Sequence, residues 1–169
     1  MMTAHEVTVS IEVAAAPPLA FDVFTQQIDT WWRRGPKHRF APPWTGTLQF
    51  EPGVNGRLTE HYEDGTSYVI GRVRLWQPGE RIVLSWRLPS FADAESTEVD
   101  VRFEPIESGT RVSVVHRGWH ELRIDHLARH GLTGCEFEYA KAGLWADNLN
   151  ALRIYVECQN NQQREWRKP

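Results

Sequence analysis

The sequence has few cysteines and no long hydrophobic run. Its two cysteines, Cys135 and Cys158, form no CxxC motif, and on one C-terminal helix they would lie too far apart to bond. We therefore expect a reducing, cytoplasmic location. The N-terminus shows neither the basic nor the apolar region of a signal peptide. No apolar stretch approaches the roughly 18 residues of a transmembrane helix, so we expect no membrane span.

Basic residues are not in excess either. The chain has 19 Lys and Arg against 22 Asp and Glu, which gives a formal net charge of -3. The basic clusters, Arg33-Arg34 and residues 164–168, are short and typical of a solvated surface. Nucleic-acid-binding proteins usually carry a basic excess or a basic run, so the composition predicts no nucleic-acid partner.

Motifs for nucleophilic catalysis and for nucleotide binding are also missing. The sequence contains no GxSxG, GxGxxG, Walker A or HExxH motif, so we expect no cofactor and no metal. Two histidine pairs have a spacing of four residues, His116/His120 and His126/His130. The first begins at the end of a predicted strand and the second lies in a segment without clear periodicity. We interpret both pairs as surface, loop or interior histidines and not as metal ligands.

Aromatic residues are abundant. Eight Trp occur among 169 residues, a length that suits one domain with a proper core. We assign that domain to residues 1–160 and interpret residues 161–169 as a flexible tail.

Alternation of apolar and polar residues predicts seven strands. The first covers residues 6–13, and Pro17 and Pro18 then suit the first turn of a helix that continues over residues 19–24. A second short helix holds Trp31 and Trp32. The other six strands are predicted over residues 47–51, 56–62, 67–76, 81–88, 97–104 and 110–117. One long helix is predicted from about Cys135 to about Gln159, with an apolar face of Leu144, Trp145, Leu149, Leu152, Tyr155 and Val156.

This order of elements predicts an α+β fold. No long helix separates the six later strands, so they form an antiparallel meander and not βαβ units. The apolar face of such a sheet needs a cover, and the C-terminal helix is the element long enough to supply it. A strongly curved sheet around a helix can leave a cavity between the two, which large aromatic side chains would line.

Several short patterns occur in a fixed order along residues 6–157. They are Phe21–Thr25 with Trp31-Trp32, Phe50–Gly53, Gly56–Leu58 with Glu60, Gly71–Val73 with Trp76–Pro78, Arg81–Trp86, Gly109–Val112 with His116–Trp119, and Gly143–Trp145 with Leu149 and Leu152. Together they resemble the START-like (SRPBCC, helix-grip) superfamily. More narrowly, they resemble the group named for homology to the activator of Hsp90 ATPase.

The resemblance implies a helix-grip, START/Bet v1-like fold. In that fold a curved seven-stranded antiparallel sheet wraps around a long C-terminal helix, and two short helices follow strand 1. It also implies a small hydrophobic partner, because the superfamily binds lipids, sterols, polyketides and similar molecules in the cavity. Some members are cyclases or hydrolases. A homodimer stays open at this point, since the sequence indicates no oligomeric state.

The candidate ligand-binding residues are mainly the aromatic side chains expected at the cavity and its mouth. The set is Trp31, Trp32, Phe40, Trp44, Tyr62, Tyr68, Trp76, Trp86, His116, Trp119, Leu144, Trp145 and Asn148. Glu60 and His116 are the candidate catalytic residues, because both alternate with apolar residues and should face inward. They would form an acid/base couple only if both reach one cavity within hydrogen-bond range.

Three functions therefore remain. The sequence favours binding of a small hydrophobic molecule, because aromatic residues are plentiful and no convincing catalytic constellation occurs. One alternative is a cavity enzyme, a cyclase, dehydratase or hydrolase that uses Glu60 and His116. The other is a protein-interaction module of the Hsp90 co-chaperone type, which an exposed apolar patch would favour.

Overall fold

The computed structural model describes residues 6–40 and 45–167. The strands are β1 (Val7–Val13), β2 (Thr47–Phe50), β3 (Arg57–His61), β4 (Ser67–Gln77), β5 (Arg81–Trp86), β6 (Thr97–Ile106) and β7 (Gly109–Arg117). The α-helices are α1 (Pro17–Gln26), α2 (Ile28–Trp31) and α3 (Gly134–Trp166). Short 3-10 helices cover Pro36–His38, Trp119–Glu121 and Leu127–Arg129.

One seven-stranded sheet carries the fold. Its strand order is β1-β7-β6-β5-β4-β3-β2, and every neighbouring pair is antiparallel. The strands β2 to β7 follow one another as a meander, while β1 pairs with β7 so that Val7 lies opposite His116. The predicted α+β, helix-grip architecture is therefore confirmed, including the two short helices after the first strand.

Irregular pairing at two places curves the sheet. The register shifts between Leu58 and Thr59 on β3 and between Val73 and Leu75 on β4. An extra residue of this kind bends a strand and increases its twist. Gly71 lies between these points, where a Cβ atom would come within 1.8 Å of the carbonyl oxygen of Ser85. The close approach of β4 and β5 thus requires glycine at this position.

The concave face of the sheet packs against α1 and α3. The helix α1 begins with Pro17 at its first turn, as predicted, and buries Phe21 and Phe24. In α3 the buried side chains Trp145, Leu149, Leu152 and Val156 recur at helical spacing. A second, smaller cluster joins Phe137 of α3 to Phe91, Trp119, Leu122 and Ala128.

The element boundaries differ from the prediction at two points. The helix α3 runs to Trp166, beyond the predicted end at about Gln159 and into the predicted flexible tail. Residues 161–165 are polar, and Trp166 is an exposed, isolated aromatic residue, so no apolar periodicity marks this part of the helix. The strand β5 ends at Trp86, two residues before the predicted end and shortly before Pro89, which cannot donate a backbone hydrogen bond.

No helix in the described part of the chain is both long and apolar enough to cross a membrane.

Candidate functional site

A cavity lies between α3, the ends of β5 and β7, and the segment that follows α2. Its volume is about 130 Å³. The described residues that line it are Trp32, Lys37, His38, Arg39, Phe40, Trp86, Leu88, His116, Trp119, His130, Lys141, Leu144, Trp145 and Asn148. The described lining residues thus come from the sheet, from α3 and from the connecting segments.

Indole rings from three separate elements form one wall of the cavity. Trp32 follows α2, Trp86 ends β5 and Trp145 lies on α3. Their ring centroids are 5.9 Å apart for Trp32 and Trp86, 5.6 Å for Trp32 and Trp145, and 5.5 Å for Trp86 and Trp145. Phe40 stacks on Trp32 at 5.4 Å. These separations suit favourable aromatic packing, so the wall is a rigid apolar surface.

His116 is held in a chain of buried hydrogen bonds. The indole Nε1 of Trp145 donates to Nδ1 of His116 over 3.1 Å, and Nε2 of His116 lies 2.8 Å from Oγ1 of Thr97. Oγ1 of Thr97 donates in turn to the carbonyl oxygen of Trp86 over 3.0 Å. Because indole can only donate, Nδ1 accepts, and the imidazole proton lies on Nε2.

The same surroundings keep His116 neutral. Burial, with the nearby charge of Lys141 as a smaller cause, lowers the pKa of His116 from 6.5 to about 3. Both ring nitrogens are already occupied by protein partners. His116 thus joins β7, β6 and α3, and it has no lone pair left with which to accept a proton from a substrate.

Asn148 ties α3 to the segment after α2. Its Oδ1 accepts from the backbone N–H of Arg33 over 2.9 Å. Its Nδ2 lies 3.2 Å from Nδ1 of His38 and donates to the carbonyl oxygen of Leu144 over 3.0 Å. Burial lowers the pKa of His38, and Asp147 opposes that shift. These bonds fix the residues at the mouth of the cavity.

Lys141 is the lysine that α3 contributes to the lining. Its Nζ lies 5.0 Å from the ring centroid of Trp119 and 5.4 Å from that of Phe137. Burial lowers the pKa of Lys141 to about 8, so the side chain is still mostly protonated at pH 7. The ammonium group is therefore a partly desolvated cation held against aromatic rings.

Some predicted binding residues lie elsewhere. Trp31 is a core residue whose Nε1 donates to the carbonyl oxygen of Val23 over 3.0 Å. Trp76 packs on Phe21 at 5.1 Å, also within the core. Tyr68 lines a separate, open groove along β4 and β5. Trp44 lies outside the described residues.

The two Trp residues of the Trp31-Trp32 pair diverge: Trp31 ends α2 and is buried in the core, whereas Trp32 follows the helix and lines the cavity. The predicted binding residues that do line the cavity are Trp32, Phe40, Trp86, His116, Trp119, Leu144, Trp145 and Asn148.

Glu60 does not join His116 at one cavity. It is buried in β3, where its Oε1 accepts from the backbone N–H of Gly46 over 2.9 Å and its Oε2 accepts from the hydroxyl of Tyr62 over 2.7 Å. Burial, and then the hydrogen bond to Glu60, raises the pKa of Tyr62 well above its usual value. Glu60 borders an adjoining crevice of about 10 Å³, which shares Trp32, His38, Arg39 and Phe40 with the main cavity, and neither Glu60 nor Tyr62 lines the main cavity. Glu60 and His116 thus border two adjoining spaces, and the catalytic couple stays a prediction.

The charged side of the site was not apparent from the sequence. The cavity is also lined by six residues that were not predicted as binding residues: Lys37, His38, Arg39, Leu88, His130 and Lys141. Lys141 falls between the apolar positions of α3, and that spacing was the one available signal. No group of three or more His, Cys, Asp or Glu suited to a metal ion occurs within residues 6–40 and 45–167.

Comparison with known proteins gives the fold and a family model. A model described as "Activator of Hsp90 ATPase homolog 1-like protein" matches residues 14–157. None of the curated proteins matches the sequence.

Solved structures share the fold at low sequence identity. Protein MLL2253 from Mesorhizobium loti is 16% identical, with a TM-score of 0.64 over 90% of this chain and 97% of that chain. The Aha1 dimer from Colwellia psychrerythraea is 15% identical, with a TM-score of 0.62 over 90% and 96%. DynU16, from the dynemicin biosynthetic locus, is 18% identical, with a TM-score of 0.60 over 90% of this chain but 47% of that one. At these identities the likeness concerns the fold.

Proposed function

This chain belongs to the Activator of Hsp90 ATPase homolog 1-like family, and we propose that it binds a small hydrophobic molecule in the cavity between the sheet and α3. The observation that carries the proposal is the wall of Trp32, Trp86 and Trp145 around a space of about 130 Å³. Rigid aromatic surfaces around a concave space are typical of ligand sites.

The volume of the cavity limits the size of the ligand. Sites for drug-sized molecules usually measure about 300–1,000 Å³, whereas an apolar cavity of about 150 Å³ is enough for benzene. A space of about 130 Å³ suits a molecule with one ring. A sterol or a long lipid chain would require the segment that holds Lys37, His38 and Phe40 to move away from α3.

The hydrogen bonding of His116 agrees better with a binding function than with a catalytic function. Both ring nitrogens of His116 are engaged, and Glu60 borders a different crevice. Because Glu60 and His116 line different spaces, the alternative of a cavity enzyme has less support than the binding function. The homodimer stays a prediction, which the dimeric state of the Colwellia psychrerythraea structure supports.

A cavity-filling substitution tests the proposal. We expect Leu144→Trp to reduce the space and to weaken binding of single-ring aromatics at least tenfold, because the indole would occupy the site. Ile154→Trp is the matched control, since Ile154 lies on the same helix with 58% of its surface exposed. Saturation-transfer NMR and calorimetry with toluene, benzamide and benzoate would measure binding. If the wild-type protein binds none of the three, the proposed function is wrong.

A further inference from the structure

The polar groups of the cavity are strongly biased toward donors and cations. Lys37, Arg39 and Lys141 line it, together with the imidazoles of His38 and His130, while both ring nitrogens of the lining residue His116 are engaged by protein partners. Among the described lining residues there is no Asp or Glu. The carboxylate of Asp147 lies 3.9 Å from Nε2 of His38 and is largely exposed, and that of Glu60 borders the adjoining crevice beside Arg39. A cavity of this composition favours a ligand that carries negative charge.

Two lining residues also have buried donors without an acceptor. The indole Nε1 of Trp119 and the guanidinium Nε of Arg39 are buried and have no hydrogen-bond partner in the described part of the chain. A buried donor without a partner costs about 1–3 kcal/mol of its hydration, so native proteins leave few of them. Both residues line the cavity, but the two donor atoms themselves have almost no accessible surface.

The position of Lys141 connects the charge to the aromatic wall. Lys141 and Leu144 are one helical turn apart on α3, Trp145 follows at four residues, and all three line the cavity. The Nζ atom lies 5.0 Å from the ring centroid of Trp119 and 5.4 Å from that of Phe137. An ammonium group in this setting gains most from an anionic ligand at its side, because the low local polarity strengthens the pairing.

We propose that the ligand is a small aromatic carboxylate, whose ring lies against Trp32, Trp86 and Trp145 and whose carboxylate pairs with Lys141. This inference rests on the proposed function and adds the chemical class of the ligand. Trp119 and Arg39 lie in the same lining as Lys141. One ring and one carboxylate match the small volume, the aromatic wall and the excess of cations.

Benzoate and benzamide provide the test, because they have nearly the same shape and differ in charge. Calorimetry at pH 7 should show benzoate binding to the wild-type protein at least tenfold more tightly than benzamide. We expect Lys141→Met to remove this preference. The affinity for benzoate should fall about tenfold or more, while the affinity for benzamide should change little. Methionine keeps the length of the apolar stem that covers Trp119 and Phe137, so the packing is largely retained.

Arg164→Met is the matched control variant. It removes one positive charge from the exposed end of the same helix, and it should leave the preference for benzoate unchanged. Thermal unfolding of each variant shows whether the fold is intact.

Equal affinity of the wild-type protein for benzoate and benzamide would overturn the inference and leave the proposed binding function standing. An equal loss of affinity for both ligands in Lys141→Met would assign Lys141 a structural role, and it would also overturn the inference. If neither probe binds, and toluene does not bind either, the proposed function fails together with the inference.

Discussion

At the residue scale, the behaviour of His116 follows from where its two nitrogens lie. Alternation with Val112 and Val114 indicates an inward position for this residue, and the structure buries it. Its partners Thr97 and Trp145 come from β6 and α3, so no local pattern around His116 could have identified them. The same local pattern suits a catalytic base and a buried structural histidine, and the partners distinguish the two.

Burial of neutral His116 predicts a loss of stability in acid. The folded-state pKa of about 3 lies below the ordinary value of 6.5, so the unfolded chain binds a proton in this range and the folded chain does not. The contribution of His116 is therefore complete above pH 6.5 and is lost as the pH falls from 6.5 toward 3. Urea unfolding across this range should show a shallower dependence on pH for His116→Gln than for the wild-type protein.

The control for this prediction is His120→Gln, which changes an exposed imidazole. It should leave the pH dependence nearly unchanged. We also expect His116→Gln to lower the free energy of unfolding at pH 7 by about 1–3 kcal/mol, because partners of the imidazole lose good geometry. An unaltered pH dependence in His116→Gln would contradict the buried neutral state.

At the element scale, α3 shows what periodicity can and cannot reveal. Its apolar spacing indicated the buried positions Trp145, Leu149, Leu152 and Val156, and the structure buries them. Residues 161–165 are polar and exposed and Trp166 is exposed, so the helix continues where the apolar pattern stops. Lys141 lies close to that pattern, but its role depends on Trp119 and Phe137, which periodicity within α3 does not bring together.

The two faces of α3 should differ sharply in their response to truncation. Leu152 is fully buried and Ile154 is 58% exposed, although they are two residues apart on the same helix. We expect Leu152→Ala to cost about 2–5 kcal/mol of unfolding free energy, because it leaves a cavity against the sheet. Ile154→Ala should change the free energy of unfolding by no more than about 0.5 kcal/mol, as is usual for surface sites. Urea denaturation at neutral pH measures both, and equal losses would contradict this packing of α3.

At the scale of the whole molecule, the cavity couples ligand binding to stability. Its lining comes from α3, β5, β7 and the segment after α2, so a ligand bridges elements that must separate on unfolding. A ligand at about 100 times its dissociation constant stabilises the folded state by about 2.7 kcal/mol. For a chain of this size we expect benzoate at that level to raise the melting temperature by about 5–10 °C.

Differential scanning fluorimetry with benzoate measures this shift, and Leu144→Trp is the control because its cavity is already filled. A shift of the same size in Leu144→Trp would place the benzoate site outside the cavity.

The sequence by itself determined the order of the strands and helices, the antiparallel meander and the helix that covers it, because alternation and helical spacing are local properties of the chain. It also indicated the aromatic residues, but it did not separate Trp32 at the cavity from Trp31 in the core. Only the tertiary structure decided that Glu60 and His116 lie in different places and that Lys141 and Arg39 line the same cavity. The reason is physical: hydrogen-bond partners, burial and the electrostatic character of a cavity depend on side chains from distant parts of the chain, which only the packed fold brings into contact.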